Sequence, residues 1–200
     1  MEKTLIKEYN EKKELIRKAL RKFKDLNEIE YYYEMMFCLL TPQSNALKCW
    51  DAIEELKKLK KFETDKINSI LKTRTRFHNN KTKYILESGK TWNLIKNSLN
   101  NKNRLELRNE LKKMVKGYGL KEAGHFLRNI GKSDNQIAIL DRHILRNLKS
   151  LGVIETDKIK NDKHYLEMEQ KFLEFSKRIG IPIDELDLLF WSRENGQIFK

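Results

Sequence analysis

Apolar residues in this chain recur at helical spacing, and no stretch alternates apolar with polar in the manner of a strand. The stripes run Tyr33, Met36, Phe37, Leu40; then Trp50, Ile53, Leu56, Leu59; then Ile85, Trp92, Ile95, Leu99; and later Tyr165, Met168, Phe172, Phe175, Ile179. Each set places large side chains on one helix face, so these aromatic and methionine stripes are read as core rather than ligand surface. Only 2 prolines and 8 glycines interrupt 200 residues, so few positions can stop a helix. The fold class that follows is all-α. Polar breaks around Asn27, Thr41–Ser44, Asn79–Asn80, Asn100–Asn103, Lys132–Asn135 and Gly180–Pro182 are the expected interhelical loops, and no sharp linker or strict repeat divides the chain.

Two of these faces meet at a tight turn. Leu107, Leu111, Met114 and Val115 lead into Gly117-Tyr118-Gly119, and Ala123, Phe126, Leu127 and Ile130 lead out, which predicts helix, hairpin, helix. Glycines on both sides of one residue permit positive φ and leave bare N–H groups at the start of the second helix, an anion site that suits a DNA phosphate. Lys121 falls in the first turn of that helix, where the positive end of the macrodipole disfavours a charged ammonium and favours a nucleophilic amine. Asp141 follows the apolar run Ile137-Ala138-Ile139-Leu140 and directly precedes the helical pattern Ile144, Leu145, Leu148, Leu151. That is the place of an N-cap, from which a carboxylate can point back at the hairpin. Taken singly, such features are ordinary: a GxG hairpin is more often a phosphate clamp in a DNA-binding module, a lone lysine a surface residue, and a lone aspartate a cap.

Taken together they resemble the helix-hairpin-helix plus Gly/Pro…Asp signature of base-excision DNA glycosylases, with Lys121 and Asp141 on that family's catalytic lysine and aspartate. The segments GYGLKEAGHFLRNIG and AILDRHIL are similar to the archaeal-type (type 2) subfamily of 8-oxoguanine DNA glycosylase/AP lyases. The likeness extends through Phe37-Cys38-Leu39-Leu40-Thr41-Pro42-Gln43-Ser44 and Arg76-Phe77 to Leu186-Asp187-Leu188-Leu189-Phe190-Trp191 and Lys200. The resemblance implies a helix-hairpin-helix glycosylase fold of two helical subdomains with the active cleft between them. Residues 31–150 would carry the hairpin, at 105–131, and Asp141; residues 1–30 and 151–200, from both chain ends, would form the other. It also implies excision of 8-oxoguanine through a lysine imine at Lys121, with Asp141 stabilising the charge on the sugar, and β-elimination at the abasic site. Lys200 and Trp191 would distinguish 8-oxoguanine from guanine, and Gln43, Phe77, Asp187, His143, Gly117 and Gly119 would be further pocket or DNA contacts.

Two other readings stay open: a glycosylase of this fold with another base specificity, and a non-catalytic DNA-binding module, against which Lys121 argues. Composition bears on partners. Lys plus Arg outnumber Asp plus Glu by 42 to 29, a net charge of +13 that suits a polyanion, although a lysine-rich composition accounts for part of it. Arg74, Arg76, His78, Lys81 and Lys83, interleaved with Phe77 and Tyr84, form either a solvated basic face or a set of phosphate contacts. His125 and His143 have no partner at metal-ligand spacing and read as structural or phosphate-facing. The only cysteines, Cys38 and Cys49, are too few for the four thiolates of an iron–sulfur cluster, so neither cofactor nor metal is expected. No segment approaches the roughly 20 apolar residues of a membrane span. The expectation is a soluble monomer in the cytoplasm of a prokaryote, partnered by double-stranded DNA containing 8-oxoguanine or abasic sites. Its nonspecific DNA affinity should fall with salt by roughly 0.9 in log–log slope for each phosphate contacted. Fluorescence anisotropy across a salt series measures this, and a slope near zero would remove nucleic acid as a partner.

Overall fold

The computed structural model describes residues 2–199, and among these ten helices and no strand occur. They are α1 (Glu2–Lys24), α2 (Glu28–Leu40), α3 (Ala46–Lys57), α4 (Thr64–Lys72), α5 (His78–Ser98), α6 (Arg104–Met114), α7 (Leu120–Asn129), α8 (Arg142–Ser150), α9 (Asp162–Ile179) and α10 (Ile183–Asn195). None of them is long and apolar enough to cross a membrane.

Asparagines in the polar breaks start several of these helices. Asn27 accepts the N–H groups of Ile29 and Glu30 at 3.0 and 3.1 Å while Glu30 returns to the Asn27 N–H at 2.7 Å, a closed capping box at the head of α2. Asn45, Asn103 and Asn161 cap α3, α6 and α9 in the same sense. The break expected at Asn79–Asn80 is displaced: both residues lie inside α5, which begins after Phe77 without a side-chain cap. Asn79 instead takes a hydrogen bond from Asn68 Nδ2 at 2.8 Å, so it ties α5 sideways to α4.

The contacts divide the chain into two compact units, one built from both chain ends, up to Asp25 and from Leu127 onward, and one from Leu26–Phe126. The boundary therefore falls inside α7 and not at residue 150, and Asp141 belongs with the chain ends. The reason lies in residues 137–140, which are buried yet not helical. Their backbone groups need partners, and α9 supplies them: Ala138 N–H donates to Glu169 Oε1 at 2.7 Å, Tyr165 Oη donates to Ala138 O at 2.7 Å, and Leu140 N–H donates to Tyr165 Oη at 3.2 Å. In the same unit α10 packs against α1, α8 and α9, with Phe172 and Phe190 stacked at 5.9 Å.

In the Leu26–Phe126 unit, α2 is fully buried from Met35 to Leu40 and packs on α3 and α5. The hairpin after α6 is fastened to this core. Tyr118 is buried and its hydroxyl donates to Met35 O at 2.9 Å, while Gly117, at φ 96°, lies against Tyr84 and Leu39. A Cβ at Gly117 would stand 2.6 Å from Tyr84 Cδ2 and 3.2 Å from Leu39 Cδ2. Steric overlap and a positive φ combine here, so Gly117→Ala should destabilise the protein by about 1–3 kcal/mol. At Gly119 a Cβ would meet only the Glu122 carboxylate, at 3.1 Å, so Gly119→Ala should be tolerated better. Urea denaturation of the two variants checks this order.

Candidate active site

Helix α7 brings Lys121 and Glu122 to the hairpin. Gly119 stands just before the helix, its carbonyl accepting the Ala123 N–H at 3.1 Å. Its N–H is not bare, as the glycine pattern suggested, because Glu122 Oε2 accepts it at 3.0 Å. Glu122 thus supplies the anion that a helix N-terminus favours, and it does so from within the chain. Its other oxygen, Oε1, lies 3.4 Å from Lys121 Nζ, and the Lys121 side chain keeps 21% of its surface open.

A second lysine sits close by. Lys81, expected on a solvated basic face or at a phosphate, is only 4% exposed. Its ammonium donates to Leu40 O at 2.7 Å, Ser44 Oγ at 2.8 Å and Pro42 O at 3.0 Å. Burial pulls this ammonium down to about 8; the Lys121 and Arg76 charges act in the same direction, and Cys49 opposes them. Cys49 donates its thiol to Leu40 O at 3.1 Å, and burial pushes it up to about 11 against the pull of the Lys81 and Lys121 charges. The charge of Lys121 is therefore felt by both members of this buried group.

Gln43 and Phe77 belong to the same unit. Both are exposed, at positive φ of 53° and 58°, and Phe77 keeps 52% of its surface open. Their loops are joined by the Arg76 N–H, which donates to Ser44 Oγ at 2.9 Å, and the Arg76 guanidinium covers the Phe77 ring at 5.4 Å.

In the chain-end unit Asp141 caps α8 as the sequence predicts. Oδ1 accepts the N–H groups of His143 and Ile144, each at 2.8 Å, so Oδ2 stays outside the cap. His143 joins Asp141 through this backbone bond, and its Nε2 accepts from Arg142 Nε at 3.3 Å. Asp187 is buried, with Oδ2 3.0 Å from Arg128 Nη2, and that guanidinium covers the Phe23 ring at 5.4 Å. Its carboxylate is committed inside the unit, where losing one partner would strand a buried charge. Trp191 is half-buried, with its ring 5.7 Å from that of Phe199. Lys200 lies outside the described residues. Among the described residues no group of three or more His, Cys, Asp or Glu side chains could hold a metal ion.

Four residues, Lys81, Glu169, Glu122 and Tyr165, hold backbone groups in contacts that were not expected from the sequence. Lys81 stands at i, i+4, i+7 spacing with Ile85 and Ser88 on the buried face of α5, and Glu169 stands four residues after Tyr165 on that of α9. A charge inside an apolar stripe was the available signal for both. Glu122, three residues after Gly119, completes a capping-box spacing that was also readable. Nothing in its spacing set Tyr165 apart from the other aromatics of its stripe.

A helix-hairpin-helix with a lysine at the head of its second helix, together with an aspartate capping the next, is the arrangement of base-excision DNA glycosylases that the sequence resembles. Residues 14–181 match the family described as 8-oxoguanine DNA glycosylase. A relative from Fusobacterium nucleatum, named 8-oxoguanine DNA glycosylase/AP lyase, is 42% identical across 96% of this chain and 94% of its own. The crystal structure of the 8-oxoguanine DNA glycosylase of Thermotoga maritima is similar at a TM-score of 0.90 and 30% identity, over 100% of this chain and 98% of that one. The 8-oxoguanine glycosylase/lyase of Methanocaldococcus jannaschii, solved in complex with 15mer DNA containing 8-oxoguanine, is similar at 0.87 and 30%, over 98% of this chain and 100% of that one. The chain belongs to the 8-oxoguanine DNA glycosylase family. Within it, Asp141→Ala should lower stability by about 1 kcal/mol through loss of the cap, whereas Asp141→Asn, which also caps, should leave helical circular dichroism and the thermal midpoint nearly unchanged. A collapse of helicity in the Asn variant would make Asp141 a mainly structural residue.

Proposed function

We propose that this protein excises 8-oxoguanine from double-stranded DNA and nicks the resulting abasic site, acting as a bifunctional glycosylase and AP lyase. The observation that carries the reading is Lys121 at the head of α7, directly after the glycine hairpin and 3.4 Å from a carboxylate, in a chain whose relatives bear that name. A base inside a duplex is shielded by stacking, so the nucleotide must first be extruded. Basic side chains and the hairpin would hold the distorted strand, with Gln43 and Phe77 as further contacts.

Lys121 Nζ has to be neutral to attack, and Glu122 Oε1 is placed to accept its proton. As the bond from C1′ to the base breaks, the base leaves with the electron pair, and Asp141 Oδ2 offsets the positive charge that develops on the sugar. Bond formation from Nζ to C1′ and opening of the ring give the imine. Loss of a C2′ proton and cleavage of the C3′–O3′ bond then nick the strand. Trp191 and Lys200 read the base: 8-oxoguanine carries a hydrogen-bond donor at N7 where guanine has an acceptor, so an acceptor aimed at that position rejects guanine. The protein works as a monomer without a cofactor, on DNA in a prokaryotic cytoplasm.

Incubating the protein with an 8-oxoguanine duplex and borohydride should trap a covalent adduct. Lys121→Gln should give none while still binding DNA. Trapping of that variant at wild-type yield would place the nucleophile elsewhere, and a wild type that neither excises nor traps would reject the enzymatic reading.

A further inference from the structure

The Lys81 ammonium uses all three of its donors inside the fold, on Leu40 O, Pro42 O and Ser44 Oγ, so it has none left for a phosphate. Its acceptors are not scattered. Leu40 O is at the carbonyl end of α2, where a cation is favoured, and Pro42 O and Ser44 Oγ flank Gln43 on either side. Ser44 Oγ also receives the Arg76 N–H at 2.9 Å, so one hydroxyl joins the loop after α2 to the loop before α5. The second loop is fixed from its other end: Arg74 pairs with Asp51 and donates to Ile70 O at 3.2 Å, and Thr75 Oγ1 donates to Leu71 O at 3.2 Å.

Each loop presents an exposed residue, other than glycine, at positive φ: Gln43 at 53° and Phe77 at 58°. Such backbone costs of order 1–3 kcal/mol per residue and persists only where the surroundings over-determine it. An aromatic ring held 52% exposed in that conformation gains little from burial, which leaves presentation to a partner as its use. We propose that Lys81 is a positioning residue that, through Ser44, locks residues 41–44 and 74–77 into one platform presenting Gln43 and Phe77 to DNA. The platform rests on the proposed glycosylase function. It adds the device that holds two contact residues in register with each other.

The test uses the full chain and a duplex carrying a tetrahydrofuran abasic analogue. Ser44→Ala removes the shared hydroxyl and should weaken binding about tenfold, with single-turnover excision of 8-oxoguanine falling alongside. Ser44→Thr, which keeps the hydroxyl, should stay within about twofold of wild type. In a Gln43→Ala/Phe77→Ala background, adding Ser44→Ala should change binding by less than about twofold, because the platform then has nothing to present. A full tenfold loss in that background, or no loss from Ser44→Ala in the wild-type background, overturns the proposal. Lys81→Met should reproduce the Ser44→Ala loss; if it fails to fold, the Ser44 cycle decides alone. A wild type that binds the tetrahydrofuran duplex but traps no borohydride adduct on the 8-oxoguanine duplex refutes the enzymatic reading, while the binding cycle still decides whether the platform exists.

Discussion

Wherever a helix stops inside the protein, carbonyl and N–H groups are left that water cannot reach, and each must be given a partner. Lys121, Asp141, Gln43 and Phe77 all sit at or beside helix ends. In the Leu26–Phe126 unit the end of α2 is completely buried, and one lysine answers its last carbonyl and the turn that follows. In the chain-end unit residues 137–140 run through the core without helix, and Tyr165 and Glu169 answer them from α9. Both solutions place a polar or charged side chain in the middle of an apolar helix face. The benefit is positional: a non-helical segment can be buried and therefore rigid, so the residue at its end is held in place.

Whether a buried ammonium can do this at neutral pH is a question of magnitudes. A fall from the ordinary 10.5 to about 8 at Lys81 corresponds to about 3 kcal/mol of penalty on the charged form. Three hydrogen bonds from a charged donor contribute about 1.5–3 kcal/mol each. The acceptors offset part of the burial, and since about 8 still lies above 7 the ammonium persists at pH 7. Cys49 lies on the same carbonyl with the opposite preference, since burial holds its thiol protonated, so the group carries one fixed positive charge rather than an ion pair. Lys121, whose charge reaches both, works beside that fixed charge.

The parts of this architecture that depend on neighbours in sequence were readable from it. Asp141 was legible as a cap because N-cap preference is a property of one residue and the two after it, and Gly117 because positive φ at a hairpin favours glycine over other residues. The asparagines that start α2, α3, α6 and α9 behave in the same way, whereas Asn79 and Asn80 carry the same composition and sit inside a helix, because their partner on α4 is invisible to any local rule. Lys81 read as a surface cation for a similar reason: its three acceptors lie 37–41 residues away in the chain. The unit boundary inside α7 was hidden too, since it is set by where residues 137–140 find hydrogen-bond partners and not by any change in composition. Asp187 looked like a contact residue in its motif and is held by Arg128, again a pairing that only the fold creates.

Two carboxylates in the proposed mechanism share one design. Asp141 commits Oδ1 to two backbone N–H groups at the head of α8 and leaves Oδ2 outside that cap. Glu122 commits Oε2 to the Gly119 N–H at the head of α7 and turns Oε1 toward Lys121. In each case the helix terminus holds one oxygen of the carboxyl group, which orients the second as well. Electrostatic stabilisation of a reacting centre is most effective when the charges need not reorganise as the reaction proceeds. A carboxylate whose rotation is arrested by the first turn of a helix meets that condition, because turning it would break the hydrogen bonds that start the helix. Structural capping and the proposed chemistry are therefore not competing uses of these residues: the cap supplies the preorganisation on which the chemistry depends.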